Sequence, residues 1–143
     1  MKIYVDADAC PVKEIIVYEA KKRNLEVIMI FDTSHQIDDG YSKVIVVDKS
    51  ADSADIKIAN LIEKNDVVVT QDYGVATMSL GKGARAINQN GLIYTNENID
   101  RLMFERFLGK KIRRAGGRTK NVSNRTNEDN EKFRKALISI LES

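Results

Sequence analysis

The stretch YVDADACP (4–11) ends an apolar run in two aspartates, Asp6 and Asp8, set two residues apart. In an extended chain residues i and i+2 point to the same side, so these carboxylates repel each other unless a cation lies between them. Three more aspartates stand in comparable places: Asp52 and Asp55 beyond KVIVV (43–47), and Asp72 after DVVVT (66–70). A lone aspartate at such a point is an ordinary loop or helix-cap residue. Five of them at the ends of three apolar runs form a pattern. Asp55 precedes Ile58, Ala59 and Ile62 by three, four and seven residues, so it shares the helix side that the apolar residues turn inward. An inward carboxylate needs a partner, and no Lys, Arg or His stands at the ends of the first and fourth runs. A hard cation such as Mg²⁺ or Mn²⁺, held by two or three carboxylates and several waters, answers both demands.

With one cysteine, Cys10, and one histidine, His35, the chain has neither an intrachain disulfide nor a zinc cage, so any metal is held by oxygen. Such a cation lowers the pKa of bound water and neutralises charge on phosphate oxygens, which fits phosphodiester hydrolysis. The candidate catalytic set is Asp6, Asp55 and Asp72. The candidate metal ligands are Asp6, Asp8, Asp52, Asp55 and Asp72, supported by Ser53, Thr70 and Gln71. Thr70 and Gln71 are placed to orient Asp72 or a bound water, or simply to pack the strand end; Ser53 reads first as a helix cap. Carboxylates beside Cys10 argue against a catalytic thiol. His35 reads as a loop residue.

The formal net charge of +2 conceals an asymmetry. Residues 106–125 (RFLGKKIRRAGGRTKNVSNR) hold eight Lys/Arg and no acid, which leaves the remainder acidic by six. An acidic body with a basic arm suits a protein that grips a polyanion, RNA or DNA, beside a carboxylate site. Lys110, Lys111, Arg113, Arg114, Arg118 and Lys120 are the candidate nucleic-acid contacts. The plainer alternative is a solvated helix end.

The elements that must position these residues are legible as alternating strands and helices. The 143 residues and an apolar share of 43% suit a single domain. Strands are expected at 3–5, LEVIMIF (25–31), KVIVV and DVVVT, with weaker ones at 85–87 and 92–94. The long runs are too apolar for one wet face, as in a parallel sheet covered on both sides. Helices are expected after Pro11, with Cys10 at the N-cap and Ile15, Ile16 and Ala20 on the inner stripe; from Ser53; from after Asp72 to Leu80; and from Ile99 through Phe107 into the basic arm. AGGRTKNVSNRTNEDN reads as mobile, and Phe133, Leu137, Ile138 and Leu141 mark a terminal helix over about 127–142. The expected fold is α/β: a mainly parallel sheet of about five strands, helices on both faces and a C-terminal helix. In such sheets ligands bind beyond the carboxyl ends of the strands, where the aspartates gather. No apolar run is long enough to span a bilayer, and no secretory apolar segment opens the chain. The default expectation is a cytoplasmic protein with no membrane partner, and a homo-oligomer is compatible with it.

YVDADACPVK, SADSAD, VVVTQD with Ala76 and KGA (82–84), NIDRL, and Arg113 with Gly116 resemble, in order and spacing, the YaiI/YqxD family of uncharacterised bacterial proteins. That group is similar to PIN-domain nucleases. The resemblance covers nearly the whole chain, down to Asp129 and Phe133. It implies a PIN-like parallel sheet with an acidic, divalent-metal pocket for cleaving nucleic acid. Asp6 would be the first-strand ligand, Asp55 the middle acid and Asp72 the acid after the fourth long strand, with Asp8 and Asp52 in support. Two other classes share parts of this inventory. A haloacid-dehalogenase-like phosphatase also starts with a strand and D-x-D, using Asp6 as nucleophile, and requires a lysine near the phosphate, for which only Lys82 is suitably placed. A nucleic-acid-binding protein without turnover would use the same ligands.

Overall fold

The computed structural model describes residues 1–32, 38–48, 53–116 and 124–143, with Ser53 described through its backbone alone. His35, Asp52, Arg118 and Lys120 lie outside the described residues. The strands are β1 (Lys2–Asp6), β2 (Glu26–Asp32), β3 (Lys43–Val47), β4 (Val67–Val69), β5 (Arg85–Ile87) and β6 (Ile93–Tyr94). The helices are α1 (Lys13–Lys22), α2 (Ser53–Leu61), α3 (Tyr73–Gly81), α4 (Asn96–Arg114) and α5 (Asn127–Leu141). All six strands form one sheet in the order β3-β2-β1-β4-β5-β6. Every pairing is parallel except β5 with β6. The fold is the expected α/β arrangement, with six strands where about five were expected.

Both faces are covered, as the apolar runs require. Ile3 and Val5 of β1 point to the side packed by Ile16 and Ala20 of α1 and by Phe133 and Leu137 of α5. Tyr4, one residue out of phase, points to the side packed by Ile58 of α2, Ile62 just beyond its end and Val75 of α3. The period of two in β1 therefore sorts its side chains between two helix layers. A third apolar cluster joins Ala76, Ala86, Tyr94 and Ile99, and seats the start of α4 against α3 and the antiparallel corner.

Three expectations need correction. Helix α1 begins at Lys13, and its N-cap is Val12, which makes no side-chain cap bond. Neither Cys10 nor Pro11 belongs to it. Ala9 has a positive φ of 56°, so the chain turns before the helix can start. Lys13 instead pins the turn that precedes the helix, donating from Nζ to the carbonyls of Ala7 (3.2 Å) and Cys10 (2.8 Å). Second, Ser53 is the first residue of α2 rather than its cap. Third, the stretch read as mobile is anchored from Arg125 onward. Arg125 donates to Asn130 Oδ1 (2.7 Å), Asn90 Oδ1 (2.9 Å) and the Gln89 carbonyl (2.7 Å). Thr126 then caps α5 in a reciprocal box with Asp129.

The terminal helix is fastened by a buried acid. Glu19 of α1, whose side chain is 2% exposed, accepts from Arg134 of α5 (2.7 Å) and from Arg23 (2.9 Å). Burial pushes the Glu19 carboxyl up, but the two guanidinium bonds outweigh it and hold it below the usual range. In the first half of α5, beside Lys132, Gly91 of the β5–β6 turn has a φ of 87°, and a Cβ there would lie 2.7 Å from the Lys132 carbonyl oxygen. Glycine lets the β5–β6 turn approach the helix.

Candidate active site

The strand order reverses between β1 and β4, which start connections running to opposite sides of the sheet. Ligand clefts of α/β sheets open at such a switch point, beyond the strand carboxyl ends. Here that place holds a cleft of about 210 Å³ lined by Asp6, Asp8, Ala9, Cys10, Val69, Thr70, Gln71 and Gln89. Asp6 ends β1, and the turn through Ala9 aims Asp8 back at the sheet edge.

The two acids of the D-x-D pair are held differently. Asp8 Oδ2 accepts from the backbone N–H of Asp32 at the end of β2 (2.7 Å). Its other oxygen, Oδ1, is buried with no hydrogen-bond partner among the described residues. Asp6 Oδ2 accepts from the Thr70 hydroxyl (3.2 Å). Burial pushes the Asp6 carboxyl above its usual range; the Thr70 bond pulls it back, and the neighbouring charges of Asp72 and Asp8 push it up again. Three carboxylates therefore act on one another at this edge.

Thr70 is 3% exposed and joins two of them. While its hydroxyl donates to Asp6, its oxygen accepts from the backbone N–H of Asp72 (3.0 Å). Asp72 is also the N-cap of α3: its Oδ1 accepts from Gly74 N (2.8 Å) and Val75 N (3.2 Å). Gln71 lines the cleft and is exposed. Asp55 stands on the first turn of α2, half-buried, on the row of Ile58 and Ile62, and is not among the residues that line the cleft. Burial raises the Cys10 thiol above its ordinary pKa, which leaves it protonated and unreactive at neutral pH.

Among the described residues no three His, Cys, Asp or Glu side chains are gathered closely enough to hold a metal ion by themselves. Mg²⁺ commonly uses only one or two carboxylates, the rest being water and phosphate oxygen. The donors at the cleft fit that mode: Asp6 and Asp8 offer oxygen alone, and one of those oxygens is buried without a partner among the described residues. Lys13, the cation at this loop, is engaged by backbone carbonyls.

The basic arm divides. Lys110, Lys111, Arg113 and Arg114 all lie on α4, whose outer half projects from the body with its side chains exposed. Arg125, by contrast, is a structural clamp on the β5–β6 turn. Several site neighbours were not singled out from the sequence. Gln89 reaches the cleft from the turn after β5. Tyr94 is 2% exposed and donates to the Thr70 carbonyl (3.2 Å). Tyr73 stands edge-on to Tyr94, with ring centroids 5.9 Å apart, and carries the Arg106 guanidinium 5.7 Å above its own centroid. A signal did exist for that corner, since Phe104 and Phe107 alternate with cations along α4.

Fold and cleft together define an α/β protein with an acidic site at the switch point of a mainly parallel sheet. The chain belongs to the YaiI/YqxD family of uncharacterised bacterial proteins, whose family model matches residues 4–143. A UPF0178 protein of Ruminiclostridium cellulolyticum is 62% identical over 141 residues, covering 99% of this chain and 92% of its own. Another from Alkaliphilus oremlandii is 49% identical over 142 residues, with 99% and 92% covered. Among solved structures, Rae1 (YacP) from Bacillus subtilis (W164L mutant) is similar over 81% of this chain and 84% of its own, at 18% identity and a TM-score of 0.45. No described helix is long and apolar enough to cross a membrane.

Proposed function

We propose that this protein is a divalent-metal-dependent hydrolase of phosphodiester bonds in RNA or DNA, working at the cleft between the ends of β1 and β4. The observation that carries the reading is the pair Asp6 and Asp8: two carboxylates on one cleft, one desolvated and one with a buried oxygen lacking a partner among the described residues. Asp6 and Asp8 would hold Mg²⁺ or Mn²⁺, with Asp72 beside them through Thr70. When bound, such an ion supplies an activated water and neutralises charge on the phosphate. The chain's own residues do the rest. Thr70 fixes the Asp6 carboxylate, and the Asp32 N–H fixes that of Asp8. Exposed cations on α4 attract the polyanion that an acidic cleft would otherwise repel. Asp55, on the first turn of α2, remains proposed as the middle catalytic acid and a metal ligand, and Asp52 as a supporting acid.

Against the phosphatase alternative, Lys82 at the C-cap of α3 donates to the Ala59 carbonyl of α2. It is committed to helix packing at the end of α3 away from Asp72.

The test pairs two readouts. Millimolar Mg²⁺ or Mn²⁺ should raise the melting temperature of the wild-type protein and not that of Asp8→Asn, because the ion stabilises only the folded state that assembles its ligands. With metal, wild type should cut an end-labelled oligonucleotide, and Asp6→Asn should not. Metal-independent melting in both proteins together with no cleavage above the Asp6→Asn level would sink the proposal.

A further inference from the structure

A second groove, of about 370 Å³, opens between the start of α3 and the outward half of α4, and Asp72 lines its edge. Its walls mix flat apolar surface with positive charge. Tyr73 presents a ring braced edge-on by the buried Tyr94, and Arg106 stacks over that ring. Phe107 is 58% exposed and Met103 44% exposed, and Lys110 lies one turn beyond Arg106. The helical spacing of Met103, Phe107 and Lys110 aligns them in one row down the groove.

Water-facing aromatics are unfavourable unless something covers them. A helix that binds duplex phosphates needs cations alone, because the base faces of a duplex are stacked on one another and out of reach. Aromatic surface interleaved with Arg and Lys matches instead a ligand with an exposed π-face and a phosphate on the same unit. We infer that this groove binds an unpaired nucleotide, its base against Tyr73 and Phe107 and its phosphate on Arg106 and Lys110, so that the substrate of the acidic cleft is single-stranded nucleic acid. The inference rests on the nucleic-acid reading of that cleft and specifies the class of substrate. Asp72 links the groove to the acidic cleft: it lines the groove, and its N–H is held by the same Thr70 hydroxyl that fixes Asp6 of the cleft.

The experiment is fluorescence anisotropy in chelator, which removes turnover, with a labelled mixed-sequence single strand and the blunt duplex of the same sequence. The single strand should bind more tightly than the duplex. Phe107→Ala should weaken single-strand binding about 5- to 150-fold, the range for one stacked base, with little change in salt dependence. Lys110→Gln should lower the slope of log K against log salt by about 0.7, the single-strand value per phosphate. Both residues are exposed, so circular dichroism and melting should match wild type. Equal or tighter duplex binding, or no binding of either, overturns the inference. So does a Phe107→Ala variant that binds normally but loses a self-association visible by sedimentation, which would make the exposed row a protein interface. Normal groove behaviour without metal-dependent cleavage would leave this inference standing and end the hydrolase proposal alone.

Discussion

Replacing Thr70 by valine keeps the shape of a buried side chain and deletes one hydroxyl that serves two acids. The variant loses a bond from Asp72 N–H (3.0 Å) and a bond to the Asp6 carboxylate (3.2 Å). A neutral hydrogen bond contributes about 0.5–1.5 kcal/mol and one to a charged group about 1.5–3, and the length of the second places it at the low end. The sum is about 2–3 kcal/mol, or roughly 4–10 °C in melting temperature for a chain of this size. The pH dependence is the sharper part. Burial already raises Asp6, and the Thr70 bond opposes that rise; valine therefore lifts the folded-state pKa further. A raised folded pKa gives stability that is present below the unfolded pKa and lost as pH climbs through the folded one. The valine penalty is thus smallest in acid and largest at neutral pH. Urea denaturation across that range measures it, and the same series in an Asp6→Asn background isolates the pair. A penalty that is identical at every pH, or unchanged by Asp6→Asn, would refute the bridge and leave Thr70 serving Asp72 alone.

The remaining expectations concern the cap and the clamp. Asp72→Ala should cost about 1 kcal/mol through loss of the α3 N-cap, whereas Asp72→Ser should recover most of it; both should bring the Asp6 pKa down, and a carboxylate-detected NMR titration reads this directly. Glu19→Gln should cost about 1–3 kcal/mol, because it removes the charged acceptor shared by Arg23 and Arg134 while Glu142 and Glu131 still pair those partly exposed guanidiniums. Glu19 is held below its usual pKa, so its contribution is present above the unfolded carboxylate value and lost as pH falls through the folded one. The glutamine variant should lose that part of the acid sensitivity, and hydrogen exchange should show α5 opening first.

The strands at 25–31 and 66–70 were readable because parallel strands covered on both sides must be continuous apolar runs, whereas 43–47 is just as apolar yet forms the sheet edge, with no residue fully buried and Val46 exposed. The convergence of Asp6, Asp8 and Asp72 followed from strand ends alone. What escaped depends on distant partners. The start of α1 was misread because Pro11 beside a polar residue imitates a helix entry, while the real turn rests on Ala9 and on Lys13 reaching back to two carbonyls. Arg125 looked like one more cation of the arm; its role needs Gln89 and Asn90, which lie 35 or more residues away. Thr70 was singled out, but its double bond to Asp6 and Asp72 N–H requires the pairing of β1 with β4 across 64 positions. Met103 and Phe107 kept the helical period that marked Ile99 and Leu102 as core, and only the projection of α4 beyond the body separates the two pairs.

The central place of β1 sets an order on folding during synthesis. β1 leaves the ribosome before both of its neighbours: β2 follows it soon after, and β4 only after β3 and α2 have been made. Until then one edge of β1 has open N–H and C=O groups and invites mispairing. The α1 side of the sheet waits longer still, because Phe133, Leu137 and Ile140 come from α5, translated after every strand. A nascent chain stalled before α5 therefore displays an apolar face that the folded protein hides.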